Sequence, residues 1–154
     1  VIELSLSDDL TARLEAGAKA AVDFTVPMAA IADLMRSETV LNFETERGPD
    51  GTPWLPSQRA REDGGLTLTD TGHLRQSITA ASDAGSAIIG TNLIYAAIHQ
   101  DGGTIRPKAK KALRTPFGPR ASVGIPARPF VGFGPPLVEN IEAILVAHLD
   151  GAMK

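Results

Sequence analysis

Residues 71–103 read TGHLRQSITAASDAGSAIIGTNLIYAAIHQDGG, and the fold class turns on this stretch. Residues 77–82 and 86–91 carry a hairpin pattern. Ile78 and Ala80 alternate with Ser77, Thr79 and Ser82, and Ala87 and Ile89 lie across an Asp83-Ala84-Gly85-Ser86 turn. The preceding Thr71-Gly72-His73-Leu74-Arg75-Gln76-Ser77 supports a short helical turn at most. A short helix is predicted from about residue 92 to residue 100. Gly102 and Gly103 follow it, and glycine past a helix end supplies the left-handed residue that stops the helix.

Helical patterns lie on both sides of the hairpin. Residues 8–23 place Leu10, Leu14, Gly17, Ala18, Ala21 and Val22 at helical spacing. Ser7 suits an N-cap, and Asp8 and Asp9 suit the positive end of the helix dipole. The stripe is small in its middle, so a partner helix can approach closely there. Pro27 fits the first turn of a second helix running to about Thr45, with Ile31, Leu34, Met35 and Leu41 on its apolar side. Residues 1–47 thus read as a helical hairpin. At the other end, residues 135–150 present Leu137, Val138, Ile141, Ile144, Leu145 and Leu149 as a continuous apolar stripe. Pro136 suits the first turn, Glu139 and Glu142 favour the N-terminal end, and Gly151 is expected to stop the helix.

Two segments between these elements are rich in proline and glycine. Residues 48–66, GPDGTPWLPSQRAREDGGL, are expected to lack regular structure within a loop over 48–70. Pro49-Asp50-Gly51 is a turn, because proline presets φ and glycine accepts a positive φ. Trp54, the only tryptophan, lies between Pro53 and Pro56 and is expected to fold back into the core. Residues 104–133 hold Pro107, Pro116, Pro119, Pro126 and Pro129. Prolines at that density predict an extended arm or a long irregular hairpin, not a packed central strand. The expected fold is one α+β domain over 1–154. A small, mostly antiparallel sheet is flanked by two N-terminal helices and a C-terminal helix, with a long basic arm.

The 154 residues suit one domain. A 43% apolar and 21% charged composition is that of an ordered globular chain. Cysteine is absent, which excludes disulfides, thiolate metal sites and cysteine nucleophiles. No apolar run approaches the roughly 18 residues of a membrane span, and no basic-then-apolar leader opens the chain. The net charge of −3 is strongly segregated. Residues 1–101 carry 7 basic and 15 acidic side chains, residues 102–138 carry 7 basic and none acidic, and residues 139–154 carry 1 basic and 3 acidic. Such segregation implies an oppositely charged contact surface: nucleic acid, an acidic protein, or another copy of the chain.

Catalytic patterns are scarce. Tyr95 and His99 share a helix face, with Asp101 nearby. A base or metal ligand is one reading of His99. A helix-end histidine near the last carbonyls is the other, favoured because no second histidine or carboxylate pair accompanies it. His73 reads as a loop residue and His148 as a dipole-compatible helix end. No G-x-S-x-G elbow, Walker loop or dinucleotide fingerprint occurs. Nothing here argues for an enzyme or a cofactor. The basic segment remains: Arg106, Lys108, Lys110, Lys111, Arg114, Arg120 and Arg128. It reads as a docking or phosphate-contact arm, or as a solvated loop. Phe117, Phe130 and Phe133 are few for base stacking.

Several short motifs recur in a set order. Phe43 is followed by Pro49-Asp50-Gly51-Thr52-Pro53-Trp54, then Thr71-Gly72-His73-Leu74, then Gly90-Thr91-Asn92. Tyr95-Ala96-Ala97-Ile98-His99-Gln100, Gly102-Gly103 and Ile125-Pro126-Ala127-Arg128-Pro129-Phe130 complete the series. Over roughly residues 40–150 the chain resembles the phage virion morphogenesis family, the tail completion proteins of Mu-like tailed phages. The basic insert between Gly103 and Ile125 lies outside the shared pattern.

The resemblance implies a small α+β structural protein at the head–tail joint, without cofactor, metal or catalytic residue. It implies capping or completion of the tail tube, linkage to the neck, and a ring of about six copies. The implied partners are further copies of the chain, the tail tube protein and the neck or connector proteins. DNA would pass only transiently through a channel, and no membrane is involved. The implied location is the virion, after assembly in the bacterial host cytoplasm. Fold-forming roles fall on Trp54, Gly72, Tyr95, His99, Gly102, Gly103, Pro126, Arg128, Pro129 and Phe130. Interface roles are expected for Arg106, Lys108, Lys110, Lys111, Arg114 and Arg120. The alternative reading is a nucleic-acid-binding module using residues 106–120.

Overall fold

The computed structural model describes residues 8–20, 23–108, 112–116 and 118–152. Six helices and six short strands are described. The first helices are α1 (Asp8–Ala20), α2 (Thr25–Thr45), α3 (Gln58–Asp63) and α4 (His73–Gln76). The β1 (Thr79–Ser82) and β2 (Ala87–Gly90) hairpin precedes α5 (Ala96–Asp101). Strands β3 (Gly103–Ile105), β4 (Leu113–Thr115), β5 (Gly118–Arg120) and β6 (Val123–Ile125) come next, and α6 (Pro135–Ala152) closes the chain. The fold is α+β. Its strands form three separate two-stranded ribbons, β1–β2, β3–β6 and β4–β5, in place of the single sheet expected.

The contacts gather into two units. One comprises residues 1–37, 80–89 and 135–154. Its core is Ile31 and Met35 of α2 with Leu137 of α6, ringed by Met28, Leu34, Ala87, Ile89, Ile141, Ile144 and Leu145. Of the stripe read on residues 135–150, Leu137 is buried, Ile141, Ile144, Leu145 and Leu149 are half-buried, and Val138 is 38% exposed. Helix α1 also packs on α6. Leu14 faces solvent, and between residues 11 and 19 only Gly17 is half-buried, so α1 docks through its small stretch. The Asp23 carboxylate accepts the Thr25 amide at 3.0 Å, which starts α2 two residues ahead of Pro27. Ser7, Ala21 and Val22 lie outside the described residues. His148 lies near the C-terminal end of α6, as read from the sequence, and also reaches the start of α2. Its Nε2 lies 3.1 Å from the Asp23 carbonyl, and its ring tilts against Phe24 at 5.4 Å. Gly151 does not stop α6, which continues to Ala152.

The other unit comprises residues 38–79 and 90–134. Phe43, Trp54 and Phe130 are its buried aromatic centre. The Phe43 ring meets Trp54 edge-on at 5.7 Å and Phe130 at 5.2 Å. Burial of these rings offsets much of the entropy of ordering a proline-rich chain. Backbone hydrogen bonds of the non-regular segment are then met by side chains. Trp54 Nε1 donates to the Pro129 carbonyl at 2.9 Å, and Asn42 Nδ2 donates to the Phe130 carbonyl at 3.0 Å. The Gln100 amide accepts from the Phe130 and Val131 amides and donates to the Val131 carbonyl.

The loop over 48–66 is not wholly irregular. Residues 57–63 contain no glycine or proline, and α3 forms there. The Ser57 hydroxyl accepts from the Ala60 amide at 3.1 Å, Gln58 bonds Glu62 one turn on, and the left-handed Gly64 closes the helix. The turn before it is closed by Asp50, whose carboxylate takes both the Thr52 amide and hydroxyl.

Between residues 103 and 125 the described strands pair as two antiparallel ribbons, the pattern of a long irregular hairpin. The β3–β6 base pairs Gly103 with Ile125 and Ile105 with Val123. The β4–β5 tip pairs Leu113 with Arg120 and Thr115 with Gly118. In two-stranded ribbons every strand is an edge, which is why Pro119 is tolerated opposite Arg114.

Candidate functional site

The long hairpin carries the basic residues. Arg106, Lys108, Arg114 and Arg120 are all exposed. None of their side chains has a hydrogen bond or ion pair among the described residues. Lys110 and Lys111 lie outside the described residues, as does Phe117. Arg128 differs from the other cations of the basic segment. It is 5% exposed, and its Nε donates to the Leu55 carbonyl at 2.7 Å. Its backbone amide donates to the His99 carbonyl at 2.8 Å. Arg128 is therefore a buried tie between the 55 loop and α5, not part of the exposed basic surface.

A groove of about 720 Å³ opens beside the hairpin. Gln58, Arg59 and Arg61 of α3 line one part, and Thr115, Pro116 and Arg120 of the β4–β5 ribbon line another. Leu55, Val123, Ile125 and Pro126 supply apolar walls, and His99 and Arg128 also line it. No carboxylate lines it among the described residues. Arg59 is already engaged by Asp70 at 3.7 Å and by the Leu66 carbonyl. Burial, then the charge of Arg61, pulls the Arg128 guanidinium below its ordinary value, though an arginine remains cationic.

His99 sits at the wall shared with a smaller recess of about 170 Å³ that also contains Gly72, His73, Asp70 and Tyr95. Tyr95 meets its ring edge-on at 6.1 Å. Burial, then the charge of Arg128, holds His99 below the ordinary imidazole value, which keeps it neutral. Its Nδ1 is buried without a partner among the described residues. No group of three metal-ligating side chains occurs among the described residues, and Asp101 is exposed. His99 thus lies in the last turn of α5, as the helix-end reading placed it, and its ring is packed there as a half-buried neutral imidazole.

Gly102 follows α5 with φ 73°. A Cβ there would lie 2.7 Å from the Ala127 amide nitrogen and 3.0 Å from the Ile125 carbonyl. Gly103 begins β3, Gly72 is the left-handed residue before α4, and Pro126 and Pro129 flank Arg128. Residues 99–103 and 125–131 are thus clamped together by backbone contact. What sequence reasoning missed is the contribution of α3: Arg61 drew no attention within a stretch read as a loop. Its only signal was the Ser57 to Gly64 cap pair.

The geometry is that of a small α+β scaffold whose most distinctive surface is a basic hairpin with an arginine-lined groove. The phage virion morphogenesis family matches residues 7–150, nearly the whole chain. The chain is 37% identical over 130 residues to the Mu-like prophage FluMu G protein 2 of Haemophilus influenzae, covering 84% of this chain and 81% of that protein. It is likewise 37% identical over 119 residues to the putative capsid assembly protein G of Escherichia phage Mu, covering 71% and 69%. No solved structure matches the chain. The chain belongs to the phage virion morphogenesis family, and its role is that of a structural virion protein. No helix among the described residues is long and apolar enough to cross a membrane.

Proposed function

We propose that this chain is a non-enzymatic tail completion protein at the head–tail joint. It caps or completes the tail tube and connects it to the neck as a ring of about six copies. The observation that carries this reading is the hairpin over 103–125. It exposes Arg106, Lys108, Arg114 and Arg120 without an internal counter-charge among the described residues, and residues 102–138 contain no acid. A segment so charged is suited to an acidic neighbour, and the remainder of this same chain is acidic. Family membership and the capsid-assembly name of the phage Mu relative support a place in morphogenesis. Tail tube and neck proteins are the other neighbours, and DNA passes through the ring without being held.

Extract complementation tests the reading. Purified protein is added to lysates of a parent phage whose gene is disrupted. Recovery of infectious particles from preformed heads and tails is expected. No recovery, with the protein folded and in excess, would overturn the placement at the joint. A filter-binding titration with duplex DNA tests the nucleic-acid alternative, which requires retention at low salt that falls steeply as salt rises.

A further inference from the structure

The groove beside α3 presents an unmet electrostatic demand. Arg128 is 95% buried at its wall, and no carboxylate among the described residues pairs with it. The charge nearest to it in effect is another cation, Arg61. Arg120 enters from the ribbon, also unpaired among the described residues. A desolvated cation without a counter-ion is costly, and a carboxylate brought from outside offsets that cost. The walls at Leu55, Val123 and Ile125 require that the same ligand also bring apolar surface. A sugar–phosphate backbone brings charge without apolar surface, so the groove is better matched to protein.

Helix α6 carries such a surface. Glu139, Glu142, Val146 and Asp150 recur at i, i+3, i+7 and i+11, which places them on one helix face. All four are exposed, Val146 by 57%. The three carboxylates have no hydrogen bond or ion pair among the described residues. Carboxylates flanking an exposed valine, at the spacing of a helix that lies in a groove, complement arginines flanking an apolar wall.

We propose that the groove lined by Arg61, Arg120 and Arg128 receives the Glu139–Glu142–Val146–Asp150 face of α6 from a second copy of this chain. This inference rests on the ring assembly proposed above and names its repeating contact. Two different patches of one chain meet, so the contact is head-to-tail and closes into a ring where the rotation permits.

Charge exchange tests the contact on the full chain by native mass spectrometry and sedimentation at low salt. Arg128 ties down Leu55 and is left intact. The groove variant is Arg61→Glu with Arg120→Glu, and the helix variant is Glu139→Lys with Glu142→Lys. Each is expected to weaken self-association about tenfold or more while keeping its circular dichroism. An equimolar mixture of the two is expected to reassociate, because each acidic groove then meets a basic helix and each basic groove an acidic one. Folded variants that stay apart when mixed would overturn the proposal, as would a wild-type chain that remains monomeric. DNA retention by the monomer, lost in the groove variant, would also overturn it and assign the groove to nucleic acid. The head–tail reading fails separately, in extract complementation, which a monomeric but active chain would still pass.

Discussion

Gly102 is held by two constraints at once. Its φ of 73° disfavours any side chain, and a Cβ would press on the backbone of Ala127 and Ile125, neither of which can rotate away. Gly102→Ala is expected to cost about 2 kcal/mol or more in urea unfolding, and a loss below about 0.5 kcal/mol would contradict the clamp between 99–103 and 125–131. Phe43 is fully buried between Trp54 and Phe130. Phe43→Ala should therefore cost about 3–5 kcal/mol and shift the emission of the lone Trp54 towards red. His99 supplies a pH dependence. Burial and then Arg128 depress its pKa in the folded chain, so as pH falls the unfolded chain binds the proton first. The stability contributed by neutral His99 is complete above about pH 6.5 and is lost as pH falls through that value towards the folded pKa. Urea midpoints should drop between about pH 7.5 and 5.5, and His99→Gln should flatten that drop. Equal dependence in both proteins would contradict the packed neutral ring.

Among the elements, α6 was the most legible, because an apolar stripe repeated over four turns leaves one way to bury it. The β1–β2 hairpin was legible for a related reason: its turn chemistry is local. Asp83 accepts from the Gly85 and Ser86 amides, and the Asp83 amide donates back to Ser86. The β3–β6 and β4–β5 ribbons were not legible in register. Each strand has three residues, and the pairing of Gly103 with Ile125 joins positions far apart in the sequence, with no local turn to set it. Helix α3 was hidden by the flanking prolines and glycines, although its cap residues were in view. Ser57→Ala is expected to cost about 1 kcal/mol and to speed amide exchange over residues 58–63. Unchanged exchange there would show that the cap does not hold α3. The groove escaped sequence reading for the same reason, since Arg61, Arg120 and Arg128 are brought together by tertiary contacts across α3, β5 and the segment after β6.

For the whole molecule, charge segregation was visible at once, and it organises the account of assembly. The exposed hairpin cations Arg106, Lys108, Arg114 and Arg120 contribute little to the folded chain, because none of these four is paired among the described residues. Replacing Lys108, Lys110, Lys111 and Arg114 together by glutamine should leave the unfolding midpoint unchanged within about 0.5 kcal/mol while weakening assembly. Undiminished assembly by that variant would remove the arm from the mechanism. The position of the protein in the virion is read from electron micrographs of lysates from a parent phage with this gene disrupted. Filled heads beside detached tails are expected. Normally joined virions in those lysates would contradict the placement at the joint.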